Sequence, residues 1–302
     1  MKFGGHETFP IREGWLSRSL LKLQKEPEIY ENDYPEDILG VGRNMYKSIR
    51  HWLIATDLVE GKALRKGSSK TLKPTSLGNL VFLKDPYFLR PETWWLLHIN
   101  LVNNPDHAAT WSWFFNRWNV ERFEKGQCLN NLNEYMRVNT SRVPKRNTLD
   151  RDLGCMLASY ASKSEVHIED PEDTGDCPFQ DLQLLRFHQA TGRYEILRHE
   201  KKVTPEIFGY AAVKSKCQES HESNERANYE DSLVEWANNP GGPGRCFQMQ
   251  PEQLSHCVNQ WDSQDIKMQS LAKERKIFVA GHTPLQWAES VYSANVKVAI
   301  DA

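Results

Sequence analysis

Leu39-Gly40-Val41-Gly42 restricts the fold of this chain more than any other stretch, because it allows one kind of connection between two helices. Glycine tolerates a positive φ, so a helix ending at Leu39 can turn sharply and a second can open at Gly42. That second helix is expected over about residues 43–56. Met45, Ile49, Trp52, Leu53 and Thr56 recur there at the i, i+4, i+7, i+8, i+11 spacing of one buried stripe. A further helix over about 13–24 carries Trp15, Leu16, Leu20 and Leu23 on one side. After Leu58-Val59-Glu60, the segment from Gly61 to Lys73 reads as two short strand-like arms around a Gly67-Ser68-Ser69 tip.

Helices, a tight turn, a helix and a hairpin in this order spell a winged helix-turn-helix, expected over residues 1–88. The face of the 43–56 helix opposite its apolar stripe carries Arg43, Asn44, Lys47, Ser48, Arg50 and His51. Arg and Asn can bond base edges with two hydrogen bonds, while Lys and Ser reach phosphates. The wing adds Lys62, Arg65, Lys66 and Lys70. Between Ile38 and Lys73 there are eight Lys or Arg against two acids, Asp57 and Glu60, a net of +6 in a chain whose total is −2. That asymmetry is an electrostatic footprint for DNA at the two places where this architecture meets a groove. A winged helix used for protein contact is the alternative, since a fold alone does not fix function.

At 302 residues the chain is expected to form two domains, the second over 89–302. No run approaches the roughly 18 apolar residues of a membrane span. The N-terminus, Met1 to Glu7, lacks the apolar stretch of a secretory signal, so a cytoplasmic protein without membrane contact is expected. Six scattered cysteines (128, 155, 177, 217, 246, 257) form no Cys-x-x-Cys pair and read as buried free thiols. A pI near 6.6 excludes a uniformly basic nucleic-acid coat protein, so any DNA contact is local.

Five of the ten tryptophans (94, 95, 111, 113, 118) fall within 25 residues and mark a second core. Helices are expected from Pro91 to the break at Asn103-Asn104-Pro105, over 107–118 and 127–138, and from Asn147 as cap through Tyr160. Asp150 is then a first-turn acid, and Asp152, two residues on, does not face it. A small hairpin is expected near 185–198, around Thr191-Gly192. Another helix opens at Thr204-Pro205, residues 239–244 form a loop, and helices near 251–260 and 284–292 finish the chain. The fold class is therefore mainly α with minor β: an N-terminal winged helix-turn-helix followed by a helical domain carrying a small β-hairpin. Seven acids between Glu165 and Asp181 read as a solvated loop. Asp181, Glu200 and Lys202 fit a loose metal-nuclease pattern that occurs by chance in most chains of this length, and they are not expected to be a nuclease centre. His6-Glu7 is no zincin, since position 10 is Pro.

With these pieces in order, the sequence resembles the B component of bacterial Ssp-type DNA phosphorothioation systems. The matching residues are Phe3-Gly4-Gly5-His6-Glu7-Thr8-Phe9-Pro10, Leu39-Gly40-Val41-Gly42-Arg43-Asn44-Met45 with Lys47-Ser48-Ile49-Arg50, Leu77-Gly78 with Asp85-Pro86, Trp94-Trp95-Leu96-Leu97-His98, and Asp176-Cys177-Pro178. They span about residues 3–213, and the C-terminal third resembles the family only loosely, which leaves the role of 214–302 open. The resemblance implies DNA as a partner and DNA nicking with a divalent ion, Mg²⁺ or Mn²⁺. It also implies a cysteine desulfurase, a PAPS-reductase-like ATP pyrophosphatase and an ATPase as companions. His6 and Glu7 are catalytic candidates because they lie in its most distinctive motif. A non-enzymatic transcription regulator and a protein-binding adaptor are the competing readings.

Overall fold

The computed structural model describes residues 1, 3–31, 34–61, 72–163, 177–219, 228–271 and 274–298. An N-terminal loop leads into α1 (Trp15–Lys25), a 3-10 turn at Ile29–Glu31, α2 (Pro35–Leu39) and α3 (Arg43–Ala55). Gly40, at φ +67°, makes the turn between the last two. Its N–H donates to Asp37 O at 3.2 Å and that of Val41 to Glu36 O at 3.1 Å, a left-handed cap that stops α2. β1 (Val59–Gly61) then pairs antiparallel with β2 (Leu72–Pro74), with Glu60 opposite Lys73. α4 (Ser76–Lys84) follows, its first turn capped by Thr75 Oγ1, which accepts from Gly78 N at 3.0 Å.

The rest of the chain is again mainly helical. It runs through α5 (Pro91–Val102), α6 (Ala109–Arg117), β3 (Arg122–Phe123), α7 (Lys125–Asn139), α8 (Arg146–Tyr160) and β4 (Ala161–Lys163). After a 3-10 turn at Pro178–Leu182 come β5 (Leu185–His188), β6 (Arg193–Ile196), α9 (Pro205–Glu219), β7 (Tyr229–Ser232), α10 (Leu233–Asn238), α11 (Pro243–Phe247) and α12 (Pro251–Gln260). β8 (Ile266–Leu271), β9 (Glu274–Val279) and α13 (Pro284–Val298) end it. The fold is mainly α with minor β. No helix among the described residues is long and apolar enough to cross a membrane.

The expected hairpin near 185–198 is present as β5–β6, set inside a four-stranded sheet of order β3-β6-β5-β4 in which β4 and β5 are parallel. A third sheet, β7-β9-β8, was not expected from the sequence. There Ile266 pairs with Val279 and Met268 with Ile277, placing alternate apolar residues on one buried face. The helix formers crowded between Gln269 and Lys276 hide that alternation. Two short helices, α10 and α11, were likewise not expected, and the second begins at Pro243, inside the expected 239–244 loop. α8 begins two residues earlier than expected, at Arg146, with Lys145 in place of Asn147 as cap residue and no side-chain cap, so Asp150 lies beyond the first turn and pairs instead with Lys125 at 2.9 Å.

α5 organises the core. Every residue from Thr93 to Val102 is buried, so the helix has no solvent face and must be surrounded. Its polar side chains are bonded in place. Thr93 Oγ1 donates to Asp85 Oδ2 at 2.7 Å. Asn100 Nδ2 donates to Thr56 O at 2.9 Å, and its Oδ1 accepts from Tyr210 OH at 2.8 Å. His98 Nε2 lies 2.8 Å from Cys246 O, a pure acceptor, so that nitrogen carries the proton and Nδ1 accepts from Tyr160 OH at 2.8 Å. Phe115, Phe179 and Trp95 close around the ring.

Burial pushes the His98 pKa down to about 4, outweighing the bond to Cys246 O. Unfolding restores a value near 6.5. Below about pH 6.5 the unfolded chain binds a proton that the native one refuses, so this term of stability rises with pH and is lost as pH falls from about 6.5 to 4, on the order of 3 kcal/mol. Ring-proton NMR of His98 should accordingly show no titration above about pH 5. A midpoint near 6.5 would contradict a sealed, neutral imidazole.

Candidate nucleic-acid interface

The six polar residues assigned by sequence to one open face of α3 divide into two groups. Arg43, Asn44 and Lys47 are exposed, whereas Ser48, Arg50 and His51 are buried. The angular argument is sound for the first turn and a half but fails further along, because other elements cover the second half of the helix. Ser48 Oγ donates to Phe9 O at 3.4 Å, and Trp52 Nε1 donates to the same oxygen at 3.0 Å, so the N-terminal loop lies across α3. Arg50 is enclosed with Tyr30 and Tyr46, whose rings stack at 5.9 Å, and burial lowers its pKa against the opposing pull of those phenols. Tyr46 also enters the buried stripe, where Met45 is half-exposed. What α3 offers to a ligand is thus Arg43, Asn44 and Lys47, with Lys47 Nζ 3.3 Å from Asn44 Oδ1.

One carboxylate holds the covering loop in place. Asp152 Oδ1 accepts from Gly4 N at 2.6 Å and from His6 Nε2 at 2.7 Å, and Oδ2 accepts from Thr110 Oγ1 at 2.8 Å. Thr8 N donates to His6 Nδ1 at 3.0 Å, which fixes the proton of the neutral ring on Nε2. The His6 and Asp152 side chains are 2% and 3% exposed. The His6 ring stacks on Trp52 at 5.8 Å and meets the edge of Trp111 at 5.6 Å. A Cβ on Gly5 would overlap the His51 ring, so this loop needs glycine to lie so close. His6 therefore ties the loop to α8 from within the core, with both ring nitrogens engaged. No motif or spacing marks Asp152, 146 residues away, as its partner.

Glu7 and Thr8 follow at φ 49° and 71°, consecutive non-glycine residues in the left-handed region. Such backbone costs on the order of 1–3 kcal/mol per residue and survives where surrounding bonds impose it. Here the Asp152 bonds do so. Glu7 sits at the surface beside the open part of α3, with Oε1 3.6 Å from Lys47 Nζ.

The remaining sequence candidates fall elsewhere. Lys62, Arg65, Lys66 and Lys70, on the expected wing, lie outside the described residues; the β1–β2 pair from which they extend is present. Asp181 is exposed on the 3-10 turn, Lys202 is exposed, and Glu200 Oε2 pairs with His256 Nδ1 at 2.6 Å. Among the described residues no three His, Cys, Asp or Glu side chains are grouped so as to hold a metal ion. Two clefts of about 240 Å³ flank the Asp57–Lys214 ion pair of 3.2 Å between the end of α3 and α9. Their amides are already used internally, Asn100 as above and Asn104 Nδ2 on Ala55 O at 3.1 Å. Cys217, on the second cleft, is the exposed thiol of the six; the other five are buried as expected.

Two solved structures share this architecture. The magnesium ion-bound SspB crystal structure superposes with a TM-score of 0.82 at 23% identity, covering 97% of this chain and 87% of that one. An SspB crystal structure gives 0.80 at 24% identity with the same coverage. The chain has an SspB-like fold. Residues 3–289 match the family described as "Protein of unknown function (DUF4007)", and the chain belongs to that family. No curated protein matches it.

Asp152→Ala should destabilise the protein by roughly 3–5 kcal/mol, since it strands two buried donors, His6 Nε2 and Thr110 Oγ1, and frees the loop at Gly4 N. Glu7→Gly, which relieves a left-handed φ and removes only a surface ion pair, should leave stability unchanged or raise it by up to about 1 kcal/mol. Urea unfolding midpoints compare the two. Equal effects would contradict the division between a buried anchor and a surface-strained residue.

Proposed function

We propose that this chain is the DNA-engaging component of a bacterial DNA phosphorothioation system and that it meets duplex DNA with a winged helix-turn-helix over residues 1–88. The observation that carries the reading is the exposed trio Arg43, Asn44 and Lys47 at the start of α3, followed directly by the β1–β2 pair whose connection holds Lys62, Arg65, Lys66 and Lys70. The first turn of a recognition helix enters the major groove, and a wing tip faces backbone. Support for the system comes from the SspB-like fold. The companions proposed with it are a cysteine desulfurase, a PAPS-reductase-like ATP pyrophosphatase and an ATPase, working in the cytoplasm.

Ser48, Arg50 and His51 leave this interface; substituting them acts through the fold. Arg43→Ala should relax sequence discrimination by roughly 1–3 kcal/mol on a preferred site if the contact is bidentate to guanine. Neutralising Lys62, Arg65, Lys66 or Lys70 should weaken all sequences alike, each lowering the magnitude of the slope of log K against log salt by about 0.9 on duplex DNA. Binding to specific and scrambled duplexes at several salt concentrations checks both. Wild-type affinity and slope in the wing variants would favour the protein-contact adaptor.

Nicking of one DNA strand is proposed as the chemistry of the complex, with Mg²⁺ or Mn²⁺ as its ion. The magnesium-bound SspB structure motivates the choice of ion, although the described residues do not themselves assemble a metal site. Supercoiled plasmid incubated with the protein and either ion should give open circles, lost with EDTA and kept in Glu200→Gln. DNA binding with the plasmid left supercoiled would favour the transcription regulator, and loss of nicking in a folded Glu200→Gln protein would move the catalytic site to that residue.

A further inference from the structure

Three arginines and a lysine gather around the segment that leaves α6: Arg117 stands at its start, Arg245 on α11 bonds Asn119, Arg198 after β6 lies 4.0 Å from Glu121, and Lys201 bonds the Leu197 carbonyl beside Arg198. Arg117 is exposed in the last turn of α6, Arg198 is 18% exposed, Arg245 is half-buried, and Lys201 is 5% exposed. Arg245 is held by its own bonds, Nε donating to Asn238 O at 3.1 Å and Nη1 to Asn119 Oδ1. Lys201 Nζ donates to Leu197 O at 2.7 Å and His199 O at 2.9 Å, both neutral carbonyls. Glu121, 57% exposed, stands 4.0 Å from Arg198 Nε. Among the described residues no carboxylate forms an ion pair with Arg117, Arg245 or Lys201.

The crowding is felt by the groups themselves. Burial first, then Arg198 and Arg117, lowers the pKa of Arg245; burial and Arg198 bring Lys201 down to about 8. Like charges partly withdrawn from water oppose folding unless a counter-charge joins them, and guanidinium forks match the oxygens of a phosphate. We propose that Arg117, Arg198 and Arg245, backed by Lys201, form a phosphate-binding site whose occupant is a phosphodiester of the DNA backbone. This rests on the reading of the chain as DNA-binding and adds a contact outside the winged region. Free inorganic phosphate shares the chemistry and is the competing source.

The test compares full-length wild type, Arg117→Gln/Arg245→Gln and Lys47→Gln on one 30-bp duplex at several salt concentrations. The double variant should lower the magnitude of the slope of log K by about 0.9 to 1.8, one to two lost phosphate contacts, independently of the loss in Lys47→Gln. Arg117→Gln alone, at an exposed position, should lower it by about 0.9 and serves if the double variant fails to fold. Unchanged slopes in Arg117→Gln and the double variant beside a reduced one in Lys47→Gln would overturn this site and leave the α3 reading standing. A wild type that binds no DNA overturns both. Thermal stabilisation by inorganic phosphate that the double variant loses, with the DNA slope unchanged, assigns the cluster to a small anion and overturns the DNA assignment.

Discussion

The burial of α5 on every side from Thr93 to Val102 is the constraint on which the rest of this molecule depends. A helix without a solvent face stabilises the protein only if neighbours enclose it on all sides, and those neighbours come from both ends of the chain. Asn100 bonds the end of α3 at Thr56 and accepts from Tyr210 on α9. Thr93 links the Asp85 turn to Tyr292 on α13, its Oγ1 lying 2.8 Å from that hydroxyl. The N-terminal helices and the later ones consequently share one continuous apolar cluster, and His98 and Asn100 inside α5 specify the backbone that lies against it, at Cys246 and Thr56.

Asp152 plays the same part for the surface. Its bonds from Gly4 N and His6 Nε2, with Thr110 of α6 bracing the other oxygen, place the Phe3–Pro10 loop against α3, and that placement decides which residues of α3 are left for a partner. The loop closes over Ser48 and His51 and stops short of Lys47, where Glu7 emerges on a strained backbone. The left-handed backbone at Glu7 and Thr8 persists there because the bonds from Gly4 and His6 to Asp152 hold the loop that leads into it.

Much of this was legible in the residues. Gly40 and Gly42 fixed the turn before α3, the spacing of Ile49, Trp52 and Leu53 fixed its inner face, and Thr191-Gly192 marked the β5–β6 turn. Periodicity, however, knows one packing partner per helix. Arg50 and His51 read as solvent-facing because the elements covering them, the 3-10 turn near Tyr30 and the N-terminal loop, are distant in sequence. Asp152 was invisible for the same reason: a carboxylate on a helix looks solvated until its buried histidine is known. The β7-β9-β8 sheet was hidden by helix-forming residues between Gln269 and Lys276, which separate Ile266 from Ile277 and Val279, the residues that keep strand alternation. The cation cluster has a sequence shadow in Glu200-Lys201-Lys202, where the Glu-x-Lys spacing singles out Lys202, which is exposed, and passes over Lys201, which is buried.

The central claim, that DNA lies on the start of α3 and on the wing, is tested most directly by lysine acetylation footprinting of the full chain with and without saturating duplex. The account predicts that DNA slows modification of Lys47, Lys62, Lys66 and Lys70 several-fold while Lys145 and Lys267, exposed on α8's approach and on β8, react at unchanged rates. Equal rates at Lys47 and the wing lysines in the presence of bound DNA would contradict it.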